Sequence, residues 1–248
     1  MSSPSISARV RNQLDPKDRR CTWVGNDPLM VAYHDTEWGV PIHDDQKLFE
    51  FMVLDAMQAG LNWRIVLEKR QNFKQALDGF DPGKIAKYAD RQLDRLVRTE
   101  GIIRNRQKLA ASIANALATL KVQQDFGSLD AYLWQFVDGR PKINAWNKAT
   151  QIPATTPEAE AMSKALKSRG FKFVGPTICY AFMESSGLVN DHITDCFRYA
   201  QLANAGVPRR AARVADRTSS RKTRRSPSIR GLAGGGASVT NVARELYD

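Results

Sequence analysis

Two half-sites for a metal stand at opposite ends of the chain. Cys21 and His34 lie near the N-terminus with twelve residues between them; His192 and Cys196 lie far downstream in Asp-His-Ile-Thr-Asp-Cys, with three between. The chain has three Cys and three His in 248 residues, so most of its metal-binding side chains fall into these two pairs. Two thiolates and two neutral imidazoles suit a closed tetrahedral zinc site. On a helix, residues four apart share a face, which would bring His192 and Cys196 together. Such a zinc would fasten the start of the fold to its end. With all four positions filled by protein it would be structural rather than catalytic. The other reading is of four unrelated buried side chains, since an isolated Cys packs as a small hydrophobe and neither pair has a standard zinc-finger spacing. Of the two left over, Cys179 sits in an apolar run and reads as core filling, and His43 precedes Asp44 and Asp45 at a helix start and reads as exposed.

A second set is aromatic. Trp23, Tyr33, Trp38 and Trp63 fall in the first third of the chain, and Asp55 is a single carboxylate in an otherwise apolar helical stretch. Aromatic faces stack on a base or attract a cation. A carboxylate buried beside them could accept hydrogen bonds from a positively charged ring, and is costly without such a partner. The alternative is core packing for the rings and a solvated face for Asp55.

A third feature is the segment from Ala165 to Thr177, which reads helix, turn, helix. Gly170 suits the left-handed position that ends a helix, and Gly175-Pro176 suits entry into the next one, with Pro in the first turn. Free N–H groups at that start could hold a phosphate, with Lys167, Arg169 and Lys172 adding charge. An ordinary helix–helix turn would have the same residues.

The elements that must position these groups read as helices from 21 to 200. Asp44 or Asp45 caps a helix that ends near Ala59-Gly60. Further helices run from about Asn62 to Leu77, a short one from Asp81-Pro82, and one from Asp90 to Val97. A longer one runs from Arg104 to Leu120, with Leu109, Ile113 and Leu117 on one face. Two more cover Leu129 to Val137 and Pro157 to Ser168. Alternating strand patterns and internal repeats are absent, so the fold class is all-α.

Hydrophobic residues make up 42% of the chain, as in a soluble globular protein. No apolar run reaches the length of a membrane span, and no signal-peptide core is present. With few cysteines, this points to a reducing, cytoplasmic setting and no membrane partner. The net charge is +11 and is uneven: residues 1–20 hold five basic and two acidic groups, and residues 201–248 hold ten and three. The middle is nearly neutral. The division is therefore a flexible basic N-terminal extension over 1–20, a folded domain over 21–202, and a basic tail over 203–248. That tail lacks apolar periodicity and reads as disordered. Basic tails of this kind meet polyanions through salt-sensitive phosphate contacts.

The quoted residues also carry a resemblance. Cys-Thr-Trp-Val at 21–24, Ala-Tyr-His-Asp-Thr-Glu-Trp-Gly-Val-Pro at 32–41 and Gln-Ala-Gly-Leu-Asn-Trp at 58–63 are followed by Gly-Ile-Ile-Arg-Asn at 101–105. Gly-Phe-Lys-Phe-Val-Gly-Pro-Thr-Ile-Cys-Tyr at 170–180 and Gly-Leu-Val-Asn-Asp-His at 187–192 complete the series. In this order, residues 21–199 resemble the bacterial 3-methyladenine DNA glycosylase I family, within the helix-hairpin-helix glycosylases. The resemblance implies an all-α helix-hairpin-helix domain with a structural zinc on Cys21, His34, His192 and Cys196, joining its ends. It implies a base pocket of Trp23, Tyr33, Trp38 and Trp63, and DNA contact through the hairpin, with Lys172, Gly175 and Thr177 in that role. Leu61 would enter the gap left by a flipped base. The implied activity is monofunctional excision of 3-methyladenine from alkylated double-stranded DNA, in base excision repair, by a monomer. Many superfamily members place a catalytic Asp shortly after the hairpin; here Asn190 falls at about that position, as is usual for this branch. One departure stands out. Family members carry Glu, in contact with the excised base, where this chain has Asp55, which keeps the charge but shortens the reach by about 1.5 Å, one carbon–carbon bond.

Two other readings compete. A non-catalytic protein on the same scaffold could bind alkylated or flipped bases. A zinc hydrolase is disfavoured because all four metal positions would be filled by protein.

Overall fold

The computed structural model describes residues 19–205. They form α1 (Pro28–Thr36), α2 (Asp45–Gln58), α3 (Trp63–Ala76), α4 (Pro82–Ile85), α5 (Asp90–Arg98), α6 (Arg106–Phe126), α7 (Leu129–Trp134), α8 (Pro157–Ser168), α9 (Pro176–Ser185) and α10 (Phe197–Ala205). The expected class holds with one addition. Lys142–Ile143 (β1) and Val189–Asn190 (β2) form a parallel pair, Lys142 opposite Val189. A two-residue ladder is too short to show alternation, and its pairing is non-local, so sequence periodicity has no access to it.

The fold is built around α2. Every residue from Leu48 to Met57 is buried, as in a helix that is enclosed on all sides. Asp44 caps it, its carboxylate accepting from the Lys47 N–H at 2.8 Å. Asp45 then reaches across to the start of α7. Its oxygens accept from the backbone N–H groups of Leu129 at 2.8 Å and Asp130 at 2.9 Å. One carboxylate thus sits between two helix N-termini, where the partial positive charge of each favours it. The central helix that carries Asp55 is anchored at its first turn in this way.

Several boundaries differ from the periodicity. The long helix α6 continues to Phe126 and stops at Gly127, with Asn105 capping its start. Its buried face runs through Leu109, Ser112, Ala116, Thr119 and Val122, while Leu117 is exposed and Ile113 half-buried. Small and polar residues fill the interior here, which a search for large apolar side chains overlooks. Helix α1 begins at Asp27-Pro28, with Asp27 accepting from the Leu29 N–H at 2.9 Å. That Asp-Pro start is a recognised signature, but the helix lacks an apolar stripe.

A strap over residues 39–42 lies along the end of α9. The Gly39 N–H donates to the Glu184 carbonyl and the Ile42 N–H to the Ser186 carbonyl, both at 3.1 Å. Gly187 makes this possible: its φ is +74° and a Cβ there would lie 2.4 Å from the Val40 backbone. Helix α10 extends through Ala205. The basic runs of both terminal segments lie almost wholly outside the described residues.

Candidate active site and metal centre

The two half-sites meet. Cys21, His34, His192 and Cys196 are all buried, and one ligand atom from each lies within 4.8 Å of the others. Cys196 Sγ is 3.4 Å from both His34 Nε2 and His192 Nδ1, and Cys21 Sγ is 3.6 Å from His192 Nδ1. Tetrahedral geometry with ordinary zinc–sulfur and zinc–nitrogen bond lengths separates S from N by about 3.6 Å. The imidazoles are oriented from behind, as metal-binding imidazoles usually are. His34 Nδ1 donates to Asp35 Oδ1 at 2.8 Å, and Asp35 is held by Arg20 at 2.6 Å. His192 Nε2 donates to the Trp38 carbonyl at 3.1 Å. The Cys196 thiol is held far below its usual range, chiefly by a hydrogen bond from Cys21, helped by His192 and His34 and opposed by burial. The cluster can hold a metal. One expectation is corrected: His192 and Cys196 converge from a turn preceding α10, not from one face of a helix. The turn serves because Cys196 N–H bonds back to the Ile193 carbonyl at 2.8 Å, doubling the chain over one residue early.

The aromatic set lines a cavity of about 450 Å³, with Asp55 in its wall. Trp23 meets Trp38 edge to face at 5.0 Å between centroids, and Tyr33 lies 5.3 Å from Trp63. The Cys–His cluster backs directly onto this wall: the His192 ring is 4.5 Å from Trp38, and the His34 ring 5.5 Å from Trp23. The Trp63 indole Nε1 is buried without a hydrogen-bond partner, an uncommon state for a buried donor.

Asp55 is buried rather than solvated. Burial raises its carboxyl to about 7, and one hydrogen bond, from Ser185 Oγ to Oδ2 at 2.9 Å, works against that shift. Burial, then the Asp55 charge, push the Tyr33 hydroxyl well up, so it remains a phenol. The cavity has a second carboxyl that the sequence reading missed. Glu184, on α9, is half-buried in the same wall, and its carboxyl is raised well above its ordinary range by burial, then by Asp191 and Asp55. The signal was present, because Glu184 in Ala-Phe-Met-Glu-Ser-Ser is a lone acid in an apolar stretch, as Asp55 is between Phe51 and Met57.

The segment after the hairpin contributes no base to this cavity. Asn190 is buried in β2, where Nδ2 donates to the Tyr199 carbonyl at 3.2 Å and Oδ1 accepts from the His192 N–H at 3.3 Å. The neighbouring Asp191 accepts from Asn144 at 2.7 Å, from Trp146 at 2.8 Å and from the Tyr180 hydroxyl. Its oxygens are engaged in tying three segments together.

The hairpin lies between α8 and α9. Gly170 closes α8 with φ +90°, and the Phe171 N–H returns to the Leu166 carbonyl at 3.1 Å, a left-handed helix ending. Lys172 and Thr177 are exposed and Gly175 half-buried. A Cβ at Gly175 would meet nothing within 4 Å, so the open face in front of it belongs to no protein group. Arg169 departs from the expected outward charge: it bonds Asp125 at 2.7 Å and lies 4.4 Å over the Phe126 ring. Leu61, in the turn after α2, is 40% exposed. His43 is exposed, bonds Asp130 at 2.8 Å and stacks on Trp134; Cys179 is core, as expected.

Fold and site together define a mostly helical protein with a helix-hairpin-helix beside an acid-walled aromatic cavity. The chain belongs to the methyladenine glycosylase family, whose model matches residues 23–199. It is 48% identical over 180 residues to DNA-3-methyladenine glycosylase 1 of Escherichia coli K12, spanning 73% of this chain and 96% of that protein. It is 45% identical over 177 residues to DNA-3-methyladenine glycosylase of Haemophilus influenzae, spanning 71% and 96%. A crystal structure of 3-methyladenine DNA glycosylase I superposes with a TM-score of 0.71 at 51% identity, covering 72% of this chain and 98% of that one. The Staphylococcus aureus enzyme, solved to show the structural basis of 3-methyladenine recognition, superposes with a TM-score of 0.71 at 35% identity, covering 73% and 96%.

Proposed function

We propose that this chain excises 3-methyladenine from alkylated double-stranded DNA by hydrolysing the N-glycosidic bond, as a monofunctional enzyme of base excision repair. The observation that carries the reading is the aromatic cavity with Asp55 buried in its wall. An N3-methylated adenine in DNA is a cation and already a good leaving group. The protein has to take it out of the stack, hold it and leave the sugar exposed to water. Trp23, Tyr33, Trp38 and Trp63 supply faces that attract a cationic ring. Asp55 is the acidic group at the base: the cation restores the charge that burial suppresses, and the carboxylate accepts hydrogen bonds from the ring. Neither Asn190 nor Asp191 is placed to activate water, which fits a reaction that asks for little acid–base help.

Lys172, Gly175 and Thr177 would grip a phosphate at the start of α9, with Leu61 entering the space vacated by the base. Cys21, His34, His192 and Cys196 would hold a structural zinc, which supplies a cross-link between the ends of the fold and a rigid backing for Trp38 and Trp23. The active body would be residues 21–202, a monomer. The basic extension over 1–20 and the tail over 203–248 would add non-specific attraction to DNA in the cytoplasm. Among the described residues no helix is long and apolar enough to cross a membrane.

The test is release of free base from methylated duplex DNA by intact protein and by Asp55→Asn. Release of 3-methyladenine that collapses in the variant supports both the activity and the role of Asp55. No release from folded, metal-loaded wild type would favour a protein that binds damaged bases without cleaving them. The shortened side chain at position 55 is the feature that keeps that second reading in view.

A further inference from the structure

Helix α6 reaches both DNA-facing loops through its buried side. Lys108 is buried, and its Nζ donates to the carbonyls of Met57 at 2.8 Å and Ala59 at 2.6 Å. Those carbonyls end α2, immediately before Gly60 and Leu61. Among the described residues Lys108 has no carboxylate partner; its charge rests on helix-end carbonyls, a favourable but unusual site for a buried lysine. Seven residues on, Asn115 is also buried and grips the hairpin with both ends of its amide. Oδ1 accepts from the Lys172 N–H at 2.7 Å, and Nδ2 donates to the Lys172 carbonyl at 3.1 Å. Seven residues are two turns, so the two grips lie on one face about 10.5 Å apart along the axis. An apolar side chain of similar size would fill either space, but it would leave the backbone groups of Met57 and Ala59, or those of Lys172, without these partners.

We infer that α6 is a ruler: Lys108 and Asn115 are positioning residues that fix the separation between the Leu61 turn and the hairpin, and so match the base-side wedge to the phosphate grip. The inference rests on the proposal that both loops touch DNA. Neither residue lines the base cavity. Recognition of the free base and action on DNA should therefore separate.

The experiment uses full-length protein with Lys108→Met and Asn115→Leu, singly and together. Free 3-methyladenine binding is read by tryptophan quenching, single-turnover excision on methylated duplex by base release, and extrusion by fluorescence of 2-aminopurine beside the lesion. Circular dichroism and zinc content confirm folding of each variant. Affinity for the free base is expected to stay within about twofold, while excision falls on the order of a hundredfold, the cost of an ångström-scale misplacement. Because both residues set one distance, the double variant should lose less than the product of the single losses. Free-base binding and excision falling in parallel would reduce both residues to general stability and overturn the inference. So would variants that excise at the wild-type rate. Wild type that neither binds nor cleaves duplex would instead remove the DNA reading, and the ruler with it.

Discussion

Replacing Asp55 by Asn should make the protein more stable, and by an amount that depends on pH. The Asp55 carboxyl is raised from 3.8 to about 7 by burial. Below the lower value, folded and unfolded chains both hold the proton and the residue costs nothing. As pH rises, the unfolded chain releases its proton first, and the folded state loses about 1.4 kcal/mol per pH unit relative to it. The loss stops growing near pH 7, where the folded carboxyl ionises too, at a total of about 4 kcal/mol. Asn has the same shape and no proton to lose. Between pH 5 and pH 9 the advantage of Asp55→Asn over wild type should therefore grow by about 3 kcal/mol. Removing the Asp55 charge also relieves Glu184, whose carboxyl it pushes up, so that coupling has the same sign. The assay is urea unfolding of both proteins at a series of pH values with zinc present. Titration of the metal ligands is common to both and cancels in the difference. A stability difference that stays flat from pH 5 to pH 9 would refute the claim that Asp55 sits charged at the cost of the fold.

Other outcomes follow from the same geometry. Stripping the metal with a chelator should lower the melting temperature by more than about 10 °C, as loss of a few kcal/mol does in a domain of this size. It should also shift tryptophan emission, because Trp38 and Trp23 pack on the His192 and His34 rings; unchanged emission would mean that the cavity wall does not depend on the cluster. Asp55→Glu restores the longer reach, so excision should rise severalfold if Asp55 contacts the base across a gap, and an unchanged or lower rate would show that the pocket is fitted to Asp. Deleting residues 206–248 should leave the melting temperature unchanged and make duplex binding less steeply dependent on salt; the same slope in both proteins would take the tail out of DNA binding.

How much of this was legible in the sequence depended on what each residue needs from its neighbours. Chemistry that follows from residue type could be read: Cys21, His34, His192 and Cys196 are scarce, and the cluster they form is the one their pairing suggested. Caps could be read as well, since Asp44 and Asn62 announce helix starts through local bonds. What escaped was determined by distant partners. The β1–β2 pair joins segments about fifty residues apart, and the inner face of α6 is polar because Lys108 and Asn115 meet backbone from elsewhere in the fold. The i, i+4 argument for His192 and Cys196 reached the right contact through the wrong local structure, because a tight turn and a helical turn both bring such residues together. Glu184 went unread although its surroundings in sequence resemble those of Asp55. An isolated acid in an apolar helix is ambiguous until the helix is known to be enclosed.

The cavity concentrates groups that a core chosen for stability alone would avoid. It holds a buried carboxyl with a single hydrogen bond, a second carboxyl within its field, and an indole N–H with no partner. The two carboxyls are unfavourable as anions in the empty protein, and a cationic, hydrogen-bonding ring would relieve them. A neutral adenine would leave the carboxyl charge unanswered, whereas a methylated one supplies the missing positive charge. Discrimination on this view comes as much from the discomfort of the empty pocket as from contacts to the methyl group. That requires walls that do not relax. Their rigidity has identifiable sources: α2 anchored through Asp45 to the start of α7, and Trp38 and Trp23 backed by the rings of the Cys–His cluster. A metal held by this cluster, with no part in the reaction itself, would then still act on selectivity, by keeping an unfavourable pocket from collapsing around its own charges.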